Sequence, residues 1–525
     1  MSKASLIVGN SNWAIKDSSL LGYNINDSNI YSPFPFDVTR ASAATTVNKA
    51  GLIVTDEEIL SGELVTNGSF ATDSDWIKSS QSTISNGSAN ILSTDGSFQF
   101  LKQDGYSSSQ GKQIKVTLDV VNIQSGELKV SFAGGSNFAK IPNVIGTHNV
   151  YIVNDGSIGQ LWISREAGIT DVTIDNVSVV EVNRNNLARI DYLDSTKGVL
   201  LTEPQSTNLI TESDDFSASY WFKSDATITS KQIVSPSGVV NADKITDNTN
   251  NVRHGLFVIG SWASGVESVF SIFVKKGNSS KLVLGSTSNA QGSFFNLDTE
   301  VIVNTGSFVG SMVSFGNGWY RCSTVFTAPS NYNLFVGLYN TVGSFDYVGI
   351  GSNLYIWGAQ LENLPYATSI IPTSGSTVTR NQDQVTNGGE VSTFNSEEGV
   401  LFLEGSFLQN GRISLKNSNE LYQVVIGFSS SIFYRIKENG TNIITNFFTS
   451  TDLNTDYKIA VKYGSGNSAI YVNGVKKSDL DSYNLIDLSK LEFVSEGQEF
   501  FGKTSQVQVF KKALTDAELI KLTTI

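Results

Sequence analysis

Residues 112–123 read KQIKVTLDVVNI, which puts Ile114, Val116, Leu118 and Val120 on one side of an extended chain and Lys115, Thr117 and Asp119 on the other. A period of two marks a strand with one buried and one wetted face. It recurs at Leu128, Val130 and Phe132, at Phe270, Ile272 and Val274, and at Leu282 and Leu284, with Asn-Gly, Gly-Ser and Asp-Gly pairs between the runs. Residues 457–475 read as a hairpin, YKIAVKY and AIYV joined by a Gly-Ser-Gly-Asn turn. Strands at this spacing without intervening helices predict an all-β chain of tandem antiparallel β-sandwiches. One helix interrupts the pattern. Thr515 to Glu518 spell a capping box, with Leu514 ahead of it and Leu519 inside, so a short helix is predicted at about 516–522.

Composition narrows the function classes. A chain of 525 residues has room for three to four domains. Its formal net charge of −13 disfavours a protein that tracks nucleic-acid phosphates. His148 and His254 stand apart and Cys322 is the one cysteine, so neither a zinc cluster of thiolates and imidazoles nor an internal disulfide can be assembled. No apolar run is long enough for a membrane-spanning helix, and the first residues lack a signal-peptide core. The expectation is a protein that folds in the cytoplasm where it is made, without membrane insertion.

An internal repeat sets the boundaries. Glu63-Leu-Val-Thr-Asn-Gly-Ser-Phe70 followed by Trp76 parallels Thr207-Asn-Leu-Ile-Thr-Glu-Ser213 followed by Phe216 and Trp221. The stretches they open close with residues 172–179 and 354–361. A shorter repeat, Val38-Thr39-Arg40 and Val378-Thr379-Arg380, precedes two polar connectors. The predicted layout is a leader at 1–60, sandwiches at 61–185, 207–372 and 391–525, and connectors at 186–206 and 373–390.

Aromatic faces are the side chains to weigh as binding candidates, because the C–H patch of a sugar ring packs on a π surface. Trp76, Trp221, Trp319 and Trp357 sit in or beside apolar strand runs and read as core. Trp162 alternates with Leu161 and Ile163, so if those two are buried it stands on an outer face as a ligand contact. Trp262, within Gly260-Ser-Trp-Ala-Ser-Gly265, is claimed by no strand face and is the second candidate. The adjacent acids Asp73/Asp75, Asp214/Asp215 and Glu397/Glu398 read as solvated loop residues, and no Gly-x-Ser-x-Gly elbow accompanies either histidine. Cys322 lies mid-strand and reads as a small buried residue. The chain is therefore expected to be non-enzymatic.

Several segments carry a resemblance. The opening LVTNGSF with Trp76 and the closing IDNVSV at 174–179 resemble carbohydrate-binding modules of the jelly-roll type. Gly198 to Leu209, Trp357 to Glu362 with the following IPTSG, and Phe36 to Ala44 are similar to segments of tailed-bacteriophage virion proteins. Residues 470–475, 501–503 and 514–519 resemble the end of a laminin-G/concanavalin-like lectin sandwich. The resemblance implies a capsid, tail-fibre or appendage protein on the virion surface, displaying glycan-binding sandwiches to the host. It implies other virion proteins and host-surface glycans as partners, and a homotrimer by analogy with fibres. Trp13, Tyr31, Phe34 and Phe36 would anchor the leader to the particle. No cofactor is expected except a structural calcium. Related modules carry an acid after the Asn-Gly-Ser-Phe opening where this chain has Ala71, which leaves Asp175 as the available ligand. The competing reading is a secreted polysaccharide-binding or polysaccharide-degrading protein with accessory modules.

Overall fold

Two strands, Gln113–Phe132 and Gln160–Asn183, run antiparallel along their whole length, from Ile114 opposite Glu181 to Phe132 opposite Leu161. The alternating run that begins near Ile114 and the run at Leu128–Phe132 are thus one strand, bent by successive register shifts between Thr117 and Leu128. The bend needs glycine: Gly126 has φ +80°, and a Cβ there would lie 2.6 Å from the Ile169 carbonyl oxygen. One half of the pair is flanked by Ser88–Ser93 and Gly146–Val153, the other by Phe100–Asp104 and Phe138–Lys140. The inward residues Val116, Val130, Leu161, Ile163, Ile174 and Val179 close the core between them.

This computed structural model describes the chain apart from residues 1–2, 11–12, 17–18, 26–30, 261–264, 288–290, 328–331, 449–454, 465 and 480–481. Strands make up 57% of it and helix 3%, so the chain is all-β. It divides into two compact units: Glu57–Arg184, just described, and Met1–Asp56 together with Asn185–Ile525.

The larger unit holds two sandwiches. In the first, a sheet ordered Ala226–Val234, Val240–Asp247, Asn353–Glu362, Glu267–Lys276, Trp319–Thr327 and Val309–Ser314 packs on a second sheet centred on Asn251–Gly260, Tyr332–Leu338 and Lys281–Ser286. Leu256, Ile272, Leu284, Cys322, Val336 and Ile356 fill the space between them. In the second, Gly411–Lys416, Gln423–Phe428 and Ile432–Glu438 face a sheet built on Glu398–Phe407, Tyr457–Gly464 and Gly502–Phe510. The hairpin forms with Ile459 opposite Val472. The helix Asp516–Thr523 carries the reciprocal cap, the Glu518 amide donating to Thr515 Oγ1 and the Thr515 amide to the Glu518 carboxylate, and Leu519 buries against Leu514.

The leader departs from expectation. Leu6–Gly9 pairs with Gly502–Phe510, with Leu6 opposite Val509, and Ser19–Ile25 and Tyr31–Thr39 extend the same sheet. Leu6, Val8, Leu20, Phe36 and Val38 share one core with Leu401, Ile459 and Val507. Residues read as a separate anchor therefore complete the C-terminal sandwich. Their apolar alternation is what any half-buried strand shows, and nothing local says that its partner lies five hundred residues away.

The connectors also differ from a linker reading. Arg40 Nη1 lies 2.7 Å from Asp383, whose other oxygen pairs with Arg189; Arg189 reaches Glu203 at 2.6 Å, and Arg380 reaches the same carboxylate at 2.8 Å. All five side chains are at most 4% exposed. The repeated Val-Thr-Arg thus delivers both of its arginines to one buried ladder that ties leader, first connector and second connector together. Removing Asp383 would leave Arg40, and removing Glu203 would leave Arg380, without a carboxylate of the ladder in the interior, at a cost of about 3–5 kcal/mol.

Candidate functional site

In the unit Glu57–Arg184 the sheet that contains Phe100–Asp104 has an inner row, Leu101, Ile163 and Val130, that is fully buried. The residues one step along each strand form an outer row in register across five strands: Ile77, Lys102, Trp162, Ser131 and Phe138. At about 4.8 Å per strand this row spans about 19 Å, room for several sugar rings.

Aromatic rings dominate its centre. Trp162 lies 4.5 Å from Phe100 and 5.7 Å from Phe98, nearly parallel to the latter, and Phe98 and Phe100 are 5.7 Å apart. Phe98 remains 51% exposed and Phe138, at the end of the row, 50%. Exposed rings gathered on one face make this surface the candidate interaction site of the unit. Polar groups frame it. Lys102 Nζ stands 5.1 Å from the Trp162 ring centre, and the Trp162 indole N–H donates to Gln160 Oε1 at 3.3 Å. Lys129, ion-paired with Glu166 at 2.9 Å, sits 4.7 Å over Phe138.

The loop carrying Phe98 is held before any ligand arrives. Asp95 Oδ1 accepts the Ser97 amide at 2.9 Å and the Gln81 side chain at 3.3 Å, while Ser93 Oγ donates to the Ser97 carbonyl. The Ser97 hydroxyl first, then the Ser97 amide and the Gln81 side chain, hold the Asp95 carboxyl down at about 2. The arrangement offers a flat, preorganised face with donors at its edge, suited to stacking on a ring and fixing its hydroxyls.

Of the sequence candidates, Trp162 stands on this face, with Leu161 and Ile163 buried behind it. Trp262 lies outside the described residues. Phe36 is closed inside the C-terminal core, edge-on to Phe493 at 6.4 Å, and cannot contact another protein. Phe34 is half-buried against Phe36, and the Trp13 indole donates to the Gly198 carbonyl at 2.9 Å, so both are used within the fold as well. The Tyr31 side chain lies outside the described residues. Asp175 is half-buried and accepts the Asn176 amide at 2.6 Å, and among the described residues no three His, Cys, Asp or Glu side chains gather as a metal set. Asp214, read as a solvated loop acid, is instead half-buried and accepts the Ser213 hydroxyl. Phe98 and Phe100 were missed. Their signal was present in Phe98-Gln-Phe100-Leu-Lys102, which places both rings and the lysine opposite Leu101.

The larger unit has a recess of about 600 Å³ lined by Phe273, Phe315, Asp191, Glu203, Arg321 and Lys503 among others. Its acids are already engaged: Asp191 accepts the Val47 and Leu193 amides, and Glu203 holds two arginines.

No family model matches the chain, and no curated protein matches it. Solved structures with partial likeness include domain 4 of AbnA, a GH43 extracellular arabinanase from Geobacillus stearothermophilus, in complex with arabinotriose, at 13% identity and TM-score 0.23 over 27% of this chain and 73% of that one. The tandem CBM22 domains of Paenibacillus barcinonensis Xyn10C give 12% and 0.22 over 59% of this chain and 99% of that one. The LG1-3 region of the laminin α2 chain gives 8% and 0.19 over 82% and 97%. At these scores the likenesses carry no argument about what the chain does.

Proposed function

We infer that the chain is a non-enzymatic glycan-binding protein, a structural component displayed on a tailed-bacteriophage particle, whose first sandwich grips host-surface polysaccharide. The glycan half rests on one observation: the exposed Phe98–Phe100–Trp162 face in register with Lys102 and Phe138. The virion half rests on the order of the segments Phe36–Ala44, Gly198–Leu209 and Trp357–Glu362 along one chain. Single-face affinity for a sugar is modest, and a homotrimer repeated over a particle would convert it into adhesion through effective concentration.

The test uses the full chain against a panel of host-envelope polysaccharides. Retention on at least one, lowered about tenfold by Trp162→Ala with the melting temperature unchanged, is the expected result. Retention that survives Trp162→Ala would remove this face from the proposal, and no retention on any polysaccharide would end the adhesive reading. Antibody labelling of purified phage particles tests the virion half, and unlabelled particles would exclude it.

A further inference from the structure

The five-stranded sheet of the C-terminal sandwich turns Ile413, Leu415, Val424, Ile426, Ile432, Tyr434 and Ile436 into the core. Its other face is therefore set by the alternate residues. Across the strands they fall into registered rows: Arg412, Gly427, Phe433 and Phe447, then Ser414, Val425, Arg435 and Thr445, with Lys437 next along. Three cations of this face converge on one carboxylate, that of Glu496. Arg412 pairs with it, Arg435 at 2.6 Å and Lys437 at 3.4 Å. No second carboxylate lies within ion-pair contact of any of the three among the described residues, although Lys437 also attracts the Glu420 carboxylate, itself paired with Lys416. Two positive charges are thus left over at one spot in a chain whose net charge is −13.

The surroundings are aromatic, buried at Phe433 and open at the edge beyond it. Both guanidiniums stand over the Phe433 ring, that of Arg412 5.8 Å and that of Arg435 5.4 Å from its centre. Gly427 makes room for it, since any Cβ there would overlap the ring. Phe447, its ring 5.6 Å from Phe433, is 49% exposed, and Glu496 itself is exposed. A cation pair prepared around a carboxylate, beside a bare aromatic ring, fits a ligand that carries a carboxylate on an apolar-faced ring.

We propose that this face is a second glycan site, selective for carboxylated polysaccharide such as a polyuronate, with Arg412, Arg435 and Lys437 holding the sugar carboxylate and Phe447 stacking on the ring. Glu496 occupies the carboxylate position in the free protein and competes with the ligand. A carboxylate is the better fit than a phosphodiester strand, because the cations converge on one point where a strand requires a track.

The full chain is titrated at low salt with polygalacturonate, with its fully methyl-esterified form, and with a single-stranded oligonucleotide. Polygalacturonate binds, its methyl ester and the oligonucleotide do not, and added salt weakens the complex. Glu496→Gln tightens binding several-fold by removing the competitor, and Arg435→Met weakens it about tenfold. Polygalacturonate binding that falls in Arg435→Met more than in Trp162→Ala assigns it to this face, and binding that falls in Trp162→Ala alone assigns it to the first sandwich and overturns the proposal. Equal binding of the methyl ester, tighter binding of the oligonucleotide, or unchanged or weaker binding by Glu496→Gln would each overturn the proposal. The Glu496 variant decides even if Arg435→Met fails to fold, because a merely structural ion pair predicts a loss and never a gain.

Discussion

The sandwich of Glu57–Arg184 and the first sandwich of the larger unit are two versions of one design with opposite outer faces. In both, the opening segment is clasped by the closing strand: the Leu64 amide donates to Val179 and the Val177 amide to Gly68, as the Leu209 amide donates to Leu361 and the Ala359 amide to Ser213. In both, a tryptophan packs on a phenylalanine, Trp76 on Phe70 at 5.5 Å and Trp221 on Phe216 at 5.0 Å, with its indole N–H on the backbone carbonyl nine residues before it. Carried outward from those tryptophans, the register equates Ile77, Lys102, Trp162, Ser131 and Phe138 with Phe222, Phe257, Phe335, Gly285 and Gly292. Trp162 and Phe335 hold the same place.

Their fates diverge because of one connection. In the unit Glu57–Arg184 the strand Gln160–Asn183 runs on without a break, and Trp162, with Phe98 and Phe100 against it, stays half-buried on a face whose outer ring, Phe98, is exposed. In the other sandwich the chain passes after Leu338 through the short strand Asp346–Val348, paired with Asn251–Gly260, before crossing to the opposite sheet at Asn353, and on the way it lays Phe345 over Phe335, 5.1 Å apart and nearly parallel, with Tyr339 against Phe294. Phe335 is fully buried as a result. The chain's own ring takes the place that a stacked ligand ring takes on an open face. The fourteen residues 339–352 thus turn this face into a satellite core, whereas the equivalent face of Glu57–Arg184 keeps exposed rings at Phe98 and Phe138.

The sharpest way to break this comparison is to remove a ring from each face. Phe345→Ala empties a buried aromatic site and should destabilise the larger unit by about 3–5 kcal/mol. Phe98→Ala removes a ring already half in water, should cost less than about 1 kcal/mol, and should lower glycan retention instead. Chemical denaturation of both variants beside a retention assay distinguishes the two, and a large stability loss in Phe98→Ala would mean that the faces are not different in kind.

Acidification should separate the units next. Burial first of all raises Asp56, Asp214 and Asp243 of the larger unit to about 6. A carboxyl whose folded pKa exceeds its unfolded value opposes folding as pH rises from about 4 to about 6. Lowering pH from 7 to 5 should therefore stabilise the larger unit, on the order of 1 kcal/mol per group. In Glu57–Arg184 the shifted carboxyls Asp95, Asp119 and Asp155 are held low by hydrogen bonds, so their contribution is intact at both values and fades only as pH falls below 4. Hydrogen exchange of the full chain, corrected for intrinsic rates, reads both units at once, and a parallel response would refute the contrast.

The smallest effect tests the shared design. Trp76→Phe and Trp221→Phe each delete one indole hydrogen bond to a carbonyl and should each cost about 1 kcal/mol. Unequal losses, measured by the same exchange experiment, would weaken the equivalence from which the register comparison starts.

Much of this was legible beforehand. The clasp follows from aligning 63–70 with 207–213, because opening strand, tryptophan and closing strand are local patterns that each sandwich must repeat. The Val-Thr-Arg repeat was visible too, but an arginine in a polar connector reads as solvated until its carboxylates are located, and Asp383 lies 343 residues from Arg40. The leader misled for the same reason: Phe36 in a Pro-rich stretch looks like an exposed anchor until Gln384–Thr386 and Gly502–Phe510 supply its sheet.

By itself, then, the sequence determined the all-β class, the capped helix, the repeated sandwich and the side of the strand on which Trp162 stands, because a period of two sorts side chains into two faces without reference to anything distant. Only the tertiary structure decided which faces stay in water, where the leader pairs and which charges are buried together. Those outcomes depend on hydrogen bonds and covering loops brought from far along the chain, and local alternation carries no record of them.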